Sequence, residues 1–487
     1  MRTFVYSDAK SNKFWNIDLQ GASFTVTFGK VGTKGQTQKK DFPDAAKAKQ
    51  AHDKLVAEKL GKGYVETTAG KQPGAAPLQR SLEEALVENP DDLAAHSAYA
   101  DYLSEQGDPG GELIQVQLAL EGPGRPAEER KQLQKREAEL LKRYGRQWLG
   151  DLGPILVGKW SGPDKPYHYQ FHRGWLDLVR MLPFPDGIVA AVAKAPQLRL
   201  LRRLEVVYDM RYHPFDFDEF VQGPAEALGS ADDERETFEP VEVLPPLVES
   251  PYLTNLRALK VGFSDSGERI GHSTMVDPFG GCTADQVLEL LKKCPRLEEL
   301  YLNTHLPGVE RLFASPLLGN VRVLQYYYGM PSGDRRWENP GTAYPLTALA
   351  NNPALKRLTT LRLHAGRDGL VDLEEMTAVL RSRRLPSLTH LQVHMTTFGD
   401  EGCRRIIESG ALRRLKALDV GYGNMTDEGA RLLAACPDLK HLDVLDVTRN
   451  ALTAQGVAAL RATGVQVVAD NQHDPGEEDY LYEVDFE

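Results

Sequence analysis

Between residues 196 and 439 a proline followed two positions later by leucine keeps recurring, at Pro196/Leu198, Pro251/Leu253, Pro295/Leu297, Pro316/Leu318, Pro353/Leu355, Pro386/Leu388 and Pro437/Leu439 among others. Just after most of these comes Leu-x-x-Leu-x-Leu, with Val tolerated last: Leu201-Leu204-Val206, Leu256-Leu259-Val261, Leu297-Leu300-Leu302, Leu358-Leu361-Leu363, Leu388-Leu391-Val393, Leu415-Leu418-Val420 and Leu442-Leu445-Val447. From Leu388 to Leu415 to Leu442 the step is 27 residues each time. Such a chain has few ways to fold. The three apolar positions aim one short strand into a core, and the proline stops the preceding helix and turns the chain toward the next strand. A single unit cannot bury its apolar face, so the units must stack. The pattern predicts a solenoid of parallel strands over about residues 151–470, and 27 residues leave room for a full helix per repeat.

Gly399-Asp400-Glu401-Gly402-Cys403 and Thr426-Asp427-Glu428-Gly429-Ala430 open the helices, with acids in the first turn where the helix dipole favours them. With the strand pattern, these segments resemble the ribonuclease-inhibitor and Ran-GTPase-activator subclass of leucine-rich repeats. Residues 300–330 are degenerate, with Val321 where leucine is expected ahead of Leu324, yet still fit. Insertions just after the strands, at about 208–240, 262–282 and 326–346, should emerge along one edge. They carry Tyr208, Tyr212, Phe215, Phe217, Tyr326, Tyr327, Tyr328, Trp337 and Tyr344, which serve either as contact surface or as local cores that pin long loops.

Strand positions between the core residues face the concave side. They run Glu205, Lys260, Tyr301, Gln325, Arg362, Gln392, Asp419, and then Val207, Gly262, Asn303, Tyr327, His364, His394, Gly421. A protein partner is expected on this face and on the edge insertions. The residues chosen for it are Tyr301, Asn303, Tyr326, Tyr327, Tyr328, Trp337, Arg362, His364, Gln392 and His394. His364 and His394 should be neighbours on adjacent strands, but two histidines without carboxylates do not make a metal site, and none is expected.

The first 67 residues read differently. Segments 3–7, 14–19 and 23–29 are predicted strands; Phe24, Val26 and Phe28 alternate with Ser23, Thr25 and Thr27. A helix is predicted from about Pro43 to Leu60, with Ala48, Ala51, Leu55 and Leu60 covering the sheet. Residues 1–66 hold twelve Lys and Arg against seven Asp and Glu, a net of +5 in a chain whose total is −11. The run Phe28-Gly29-Lys30-Val31-Gly32-Thr33-Lys34-Gly35-Gln36, with Asn12-Lys13-Phe14-Trp15 and Lys59-Leu60-Gly61-Lys62-Gly63-Tyr64, resembles the WGR domain, known from poly(ADP-ribose) polymerases and found in bacterial proteins. That resemblance implies DNA contact through the Trp and Arg of the family's name. Here those positions are Phe28 and Lys30: a phenyl ring still stacks, but lysine lacks the bidentate fork of arginine. The residues expected to meet nucleic acid, DNA or RNA, are Trp15, Phe28, Lys30, Lys34, Lys39 and Lys40. The alternative for the lysines is a solvated edge strand that resists aggregation.

Residues 68–79 read as a Gly- and Pro-rich linker and 80–150 as a helical spacer. Within the spacer, Glu88-Asn89-Pro90-Asp91-Asp92, Tyr99-Ala100-Asp101-Tyr102-Leu103 and Gly107-Asp108-Pro109-Gly110-Gly111-Glu112 resemble a short bacterial domain that accompanies repeat proteins. Asp101, Asp108 and Glu112 are read as caps and solvated acids. Residues 471–487 form an acidic tail that alternates Tyr480, Tyr482, Val484 and Phe486 with Leu481, Glu483 and Asp485; capping the last repeat and docking elsewhere are both open to it.

The fold class is therefore multidomain α/β: a small WGR-like sheet-plus-helix domain, a helical spacer and a leucine-rich-repeat solenoid. There is no P-loop, G-x-G-x-x-G, H-E-x-x-H or G-x-S-x-G, so no catalytic residue and no cofactor are expected. No apolar run is long enough to span a membrane, and the first ten residues lack a secretory apolar core. Four cysteines without C-x-x-C pairing suit a reducing cytoplasm, with Cys294 and Cys436 read as buried small hydrophobes. The functions in view are a bridge between nucleic acid and protein, a protein-only scaffold or inhibitor, and a regulator of an enzyme. The sequence does not set the oligomeric state.

Overall fold

The computed structural model describes residues 2–8, 11–30, 35–62, 64–67, 75–157, 167–183, 187–208, 242–263, 281–304, 306–327, 344–364, 371–394 and 396–474. Lys34, Tyr328, Trp337, most of the three insertions and the tail from residue 475 lie outside the described residues, and so does the side chain of Lys30. The chain divides into two compact units, Met1–Leu140 and Leu141–Glu487.

The first unit begins with a five-stranded antiparallel sheet of β1 (Arg2–Asp8), β2 (Ser11–Gln20), β3 (Ser23–Lys30), β4 (Gln36–Asp41) and β5 (Val65–Thr67), ordered β4-β3-β2-β1-β5. Helix α1 (Ala45–Gly61) covers one face, and Phe4, Trp15, Ile17, Phe24 and Val56 are buried together. The three expected strands are present. Two more were missed for physical reasons. Strand β4 is fully exposed, so it carries no apolar alternation to read. Strand β5 has only 3 residues.

Three helices follow: α2 (Ala75–Glu88), α3 (Leu93–Glu105) and α4 (Pro109–Glu121). The Asp92 carboxylate caps α3 by accepting from Ala94 N and Ala95 N, and Asp108 caps α4 by accepting from Gly110 N with Pro109 as the first helical residue. Pro109, Gly110 and Gly111 thus open α4. A Cβ on Gly111 would lie 2.5 Å from the Ala100 carbonyl oxygen, so the glycine lets α3 and α4 cross closely. The three acids of this module have separate partners: Asp108 caps, Asp101 accepts from Gln115, and Glu112 holds Arg136 on α5 (Ala127–Trp148) at 2.6 and 2.8 Å.

The second unit is built on one eleven-stranded sheet whose strands follow chain order. They are β6 (His168–His172), β7 (Trp175–Met181), β8 (Arg203–Tyr208), β9 (Ala258–Phe263), β10 (Glu299–Asn303), β11 (Val323–Tyr327), β12 (Thr360–His364), β13 (His390–His394), β14 (Ala417–Asp419), β15 (Val444–Asp446) and β16 (Gln466–Val468). Strands β7 to β16 are parallel; β6 runs antiparallel to β7 and closes that end. The register aligns the middle leucines, Leu204, Leu259, Leu300, Leu324, Leu361, Leu391, Leu418 and Leu445, in one ladder. Each is buried, and one continuous core runs from Leu149 to Val465. Strands return on the same side of the core because each proline segment turns the chain after its helix.

The expectation of a full helix per repeat holds only in part. Gly399–Ser409 and Asp427–Ala435 have 11 and 9 residues, but Val309–Phe313 has 5. Leu300 and Leu324 lie closer together than the regular step, and the shorter path leaves room for little more than one turn.

Candidate functional site

The concave face follows from period-two geometry: if Leu361 and Leu363 point into the core, then Arg362 and His364 point out. The observed register reproduces the pairing order read from the pattern, but not every member faces outward: Val207, Gln325 and Asn303 are buried. Glu205, Lys260, Tyr301, Gln325, Arg362, Gln392 and Asp419 are neighbours in turn, and Tyr327, His364 and His394 form a second row.

At one end charges pair among themselves. Arg203 donates to Glu299 at 2.6 Å and to Glu205 at 3.2 Å, and Arg180 lies 3.9 Å from Glu205. The Tyr301 hydroxyl donates to Glu299 at 2.9 Å. Burial, and then this bond to a carboxylate, raises the Tyr301 phenol above its ordinary value.

The middle of the face is aromatic and imidazole. The Tyr327 and His364 rings are 5.0 Å apart, His364 and His394 5.5 Å, and His394 and Tyr422 4.9 Å. The Nδ1 atoms of His364 and His394 are 3.4 Å apart, and His394 Nε2 lies 2.8 Å from Asp419 Oδ1. Gln392 Nε2 donates to the Tyr327 hydroxyl at 3.0 Å and lies 3.2 Å from His394 Nδ1. With His394 Nε2 protonated, its Nδ1 is left to accept from His364 and Gln392. The network fixes ring orientations and carries no nucleophile. No group of three or more His, Cys, Asp or Glu able to hold a metal occurs among the described residues.

Of the expected protein-contact residues, Tyr301, Tyr327, Arg362, His364, Gln392 and His394 line the face and are half-buried. Tyr326 is not among them. It takes the third apolar position of its repeat, paired in register with Leu302 and Leu363, and is fully buried against Phe313 and Tyr344. Tyr208 and Tyr344 are likewise core residues, which favours the pinning role for the innermost insertion aromatics. Asn303 is turned inward, donating to the Phe263 carbonyl and accepting from Gln325, so it is structural. Tyr422 and Asp419 were not chosen from the sequence. Their 27-residue offset from Arg449 and Asp446 was the signal available for them.

In the first unit, Trp15 is 3% exposed and packs on Phe4 at 5.2 Å. Its burial removes it from the nucleic-acid set. Phe28 lies opposite Trp15 on the core-facing side and is partly buried. Lys39 and Lys40 are successive residues of one exposed strand, so they point to opposite faces. Lys39 meets Asp41 at 3.3 Å, and the Lys40 ammonium lies 5.7 Å from the Phe42 ring centroid. They do not form one patch.

The cysteines are free. Cys282, Cys294 and Cys403 are buried, and desolvation pushes the Cys294 and Cys403 thiols up to about 12. Cys436 is only half-buried, a correction to its expected burial.

An open antiparallel sheet backed by one helix, and a parallel-strand solenoid with leucine ladders, are two separate binding-module architectures in one chain. Residues 1–71 match the family model described as the WGR domain, and residues 412–434 and 438–460 match leucine-rich repeats. The chain thus carries a WGR domain at its N-terminus and leucine-rich repeats near its C-terminus. Over 66 residues it is 56% identical to Protein YehF of Escherichia coli (strain K12), covering 14% of this chain and 24% of that protein. Over 65 residues it is 46% identical to the uncharacterized protein YfeS of the same strain, covering 13% of this chain and 27% of that one. The chain therefore spans about a quarter of either relative. A solved Bacteroides fragilis protein aligns over 99% of both chains, with 18% identity and a TM-score of 0.35. No helix among the described residues is long and apolar enough to cross a membrane.

Proposed function

We propose that this chain is a non-enzymatic scaffold whose leucine-rich-repeat concave face takes a protein partner. The observation that carries this reading is the pair of short rows of half-buried polar and aromatic side chains on adjacent strands, Arg362 and Gln392 in one and Tyr327, His364 and His394 in the other, with Tyr301 beyond the buried Gln325. Rings and an arginine with pre-set orientations suit protein recognition, because little side-chain entropy is lost on contact. WGR and leucine-rich-repeat modules are as a rule binding rather than catalytic, which supports the non-enzymatic part. The modules of this reading are a WGR domain at 1–67, a linker at 68–79, a helical spacer at 80–150, the solenoid at 151–470 and a tail at 471–487. Four free cysteines support a cytoplasmic setting.

The test is site-specific cross-linking in the native cell. A photo-reactive residue at Tyr301 or Arg362 should give one discrete protein adduct, and the same group at exposed Glu408 on the helix side should not. Equal adducts from both positions would sink the reading.

A second reading adds nucleic acid at the WGR head, favoured by the +5 charge of residues 1–66. With Trp15 buried and Lys39 and Lys40 on opposite faces, such binding would run through lysines and Phe28 rather than a stacked tryptophan. Salt-dependent binding of DNA or RNA that Lys40→Glu and Lys30→Glu weaken equally across sequences would support it. No binding at low salt would end it.

A further inference from the structure

We infer that the ring patch Tyr327, His364, His394 and Tyr422, with Asp419 beside it, seats a cationic side chain of the protein partner, arginine above all. This rests on reading the concave face as the partner surface. The four rings span β11 to the segment after β14 in an unbroken series of contacts 4.9 to 6.2 Å apart. All four are neither fully buried nor exposed, the His394 side chain being 12% exposed. The two tyrosine faces carry negative potential and attract guanidinium groups, and the imidazoles between them add flat faces on which a guanidinium plane can stack. One such group is already held there: the Arg449 guanidinium sits over the Tyr422 ring, 5.5 Å from its centroid.

The charge pattern along the face points the same way. At the far end Arg203 bridges Glu205 and Glu299, so those carboxylates are matched by arginine. Beside the ring patch the carboxylates are not. Asp419 bonds His394 and the Gly421 N–H, and Asp446, its neighbour in register, accepts from Thr448 N at 2.9 Å. Neither has a Lys or Arg ion pair among the described residues. Arg362, the nearest outward arginine in the ladder, is separated from Asp419 by Gln392 and reaches the other way, to Gln325 at 3.5 Å. A partner segment complementary to this face places positive charge over Asp419 and Asp446, with the guanidinium plane against the rings.

The test uses the full chain with labelled histidines, the His364 and His394 NMR signals being assigned by His364→Gln and His394→Gln. The probes are a hexa-arginine peptide and a hexa-citrulline peptide, which has the same length but no charge. Hexa-arginine should shift both signals saturably, and hexa-citrulline should leave them in place. Asp419→Asn should weaken the interaction about tenfold. So should Tyr422→Asn, which removes the ring while suiting the left-handed backbone there (φ 54°). Unmoved His364 and His394 signals, equal shifts with both peptides, or unchanged affinity in both variants would overturn the inference. Cross-links from Tyr301 and Arg362 to the cellular partner separate the two claims. If they survive while the peptide arms fail, only the cation seat falls; if they vanish, the concave-face reading falls with it.

Discussion

Asp400 accepts both the N–H and the hydroxyl of Thr426, one repeat further along, at 2.9 and 2.7 Å. Asp427 does the same for Thr453, at 2.9 and 2.6 Å. Each threonine also caps its own helix, Thr426 by accepting from Glu428 N and Thr453 from Gln455 N. The acid in the first turn of one helix therefore fastens the cap of the next. Dipole compensation was the role expected from sequence; this link between repeats is the larger structural one.

In both of these repeats the contact requires a glycine. A Cβ on Gly429 would stand 2.5 Å from Asp400 Oδ1, and one on Gly456 2.1 Å from Asp427 Oδ1. Gly456→Ala should therefore destabilise the chain by about 1–3 kcal/mol, through displacement of the carboxylate. Thermal unfolding checks this. An unchanged midpoint would show that the Asp427 link carries no stability.

Asp427 also gives a pH signature. Its bond to Thr453 holds the carboxyl below its ordinary value of 3.8. A depressed folded-state value stabilises the fold fully above the ordinary value and loses that contribution as pH falls through the folded one. The stability gap between wild type and Asp427→Asn should be widest near neutrality and close in acid, starting below about pH 5. Parallel acid-unfolding curves would contradict the assignment.

Arg414 is a half-buried cation with no carboxylate partner among the described residues. Its guanidinium donates to the carbonyls of Val379, Leu380 and Ser382, at the end of the preceding repeat's helix Leu373–Arg381. Burial lowers its pKa, and the helix carbonyls supply the compensating negative end. Arg414→Ala should cost about 2–4 kcal/mol, and Arg414→Lys less, as measured by denaturant midpoint. Equal losses would show that side-chain packing dominates.

Thiol alkylation should separate the cysteines. Cys294 and Cys403 are buried, with thiols pushed up to about 12, so they should resist iodoacetamide at mildly alkaline pH. Half-buried Cys436 should be modified first, as read by peptide mass mapping. Early loss of Cys403 would indicate local opening of its repeat.

The solenoid was legible because one residue type at one spacing encodes it: each Leu that fixes a strand also fixes its neighbours' direction. That logic placed Arg362, His364, Gln392 and His394 on the concave face without a structure. It failed where identity and register disagreed. Tyr326 reads as a contact residue by type, yet it fills a leucine position. Trp15 reads as a stacking residue by motif, yet strand alternation turns it inward with Ile17. Strand β4 has lysines where alternation would need apolar residues, so its edge role emerged only from pairing with β3. The Asp419–His394 bond was hidden because it joins two repeats across 25 residues.

The most direct test of the concave-face reading is photo-cross-linking from Arg362 in the native cell, with nuclease treatment before capture. A single protein adduct, unaffected by nuclease and absent when the cross-linker sits at Glu408, is the predicted result. Adducts that disappear with nuclease, or that form equally from Glu408, would contradict it.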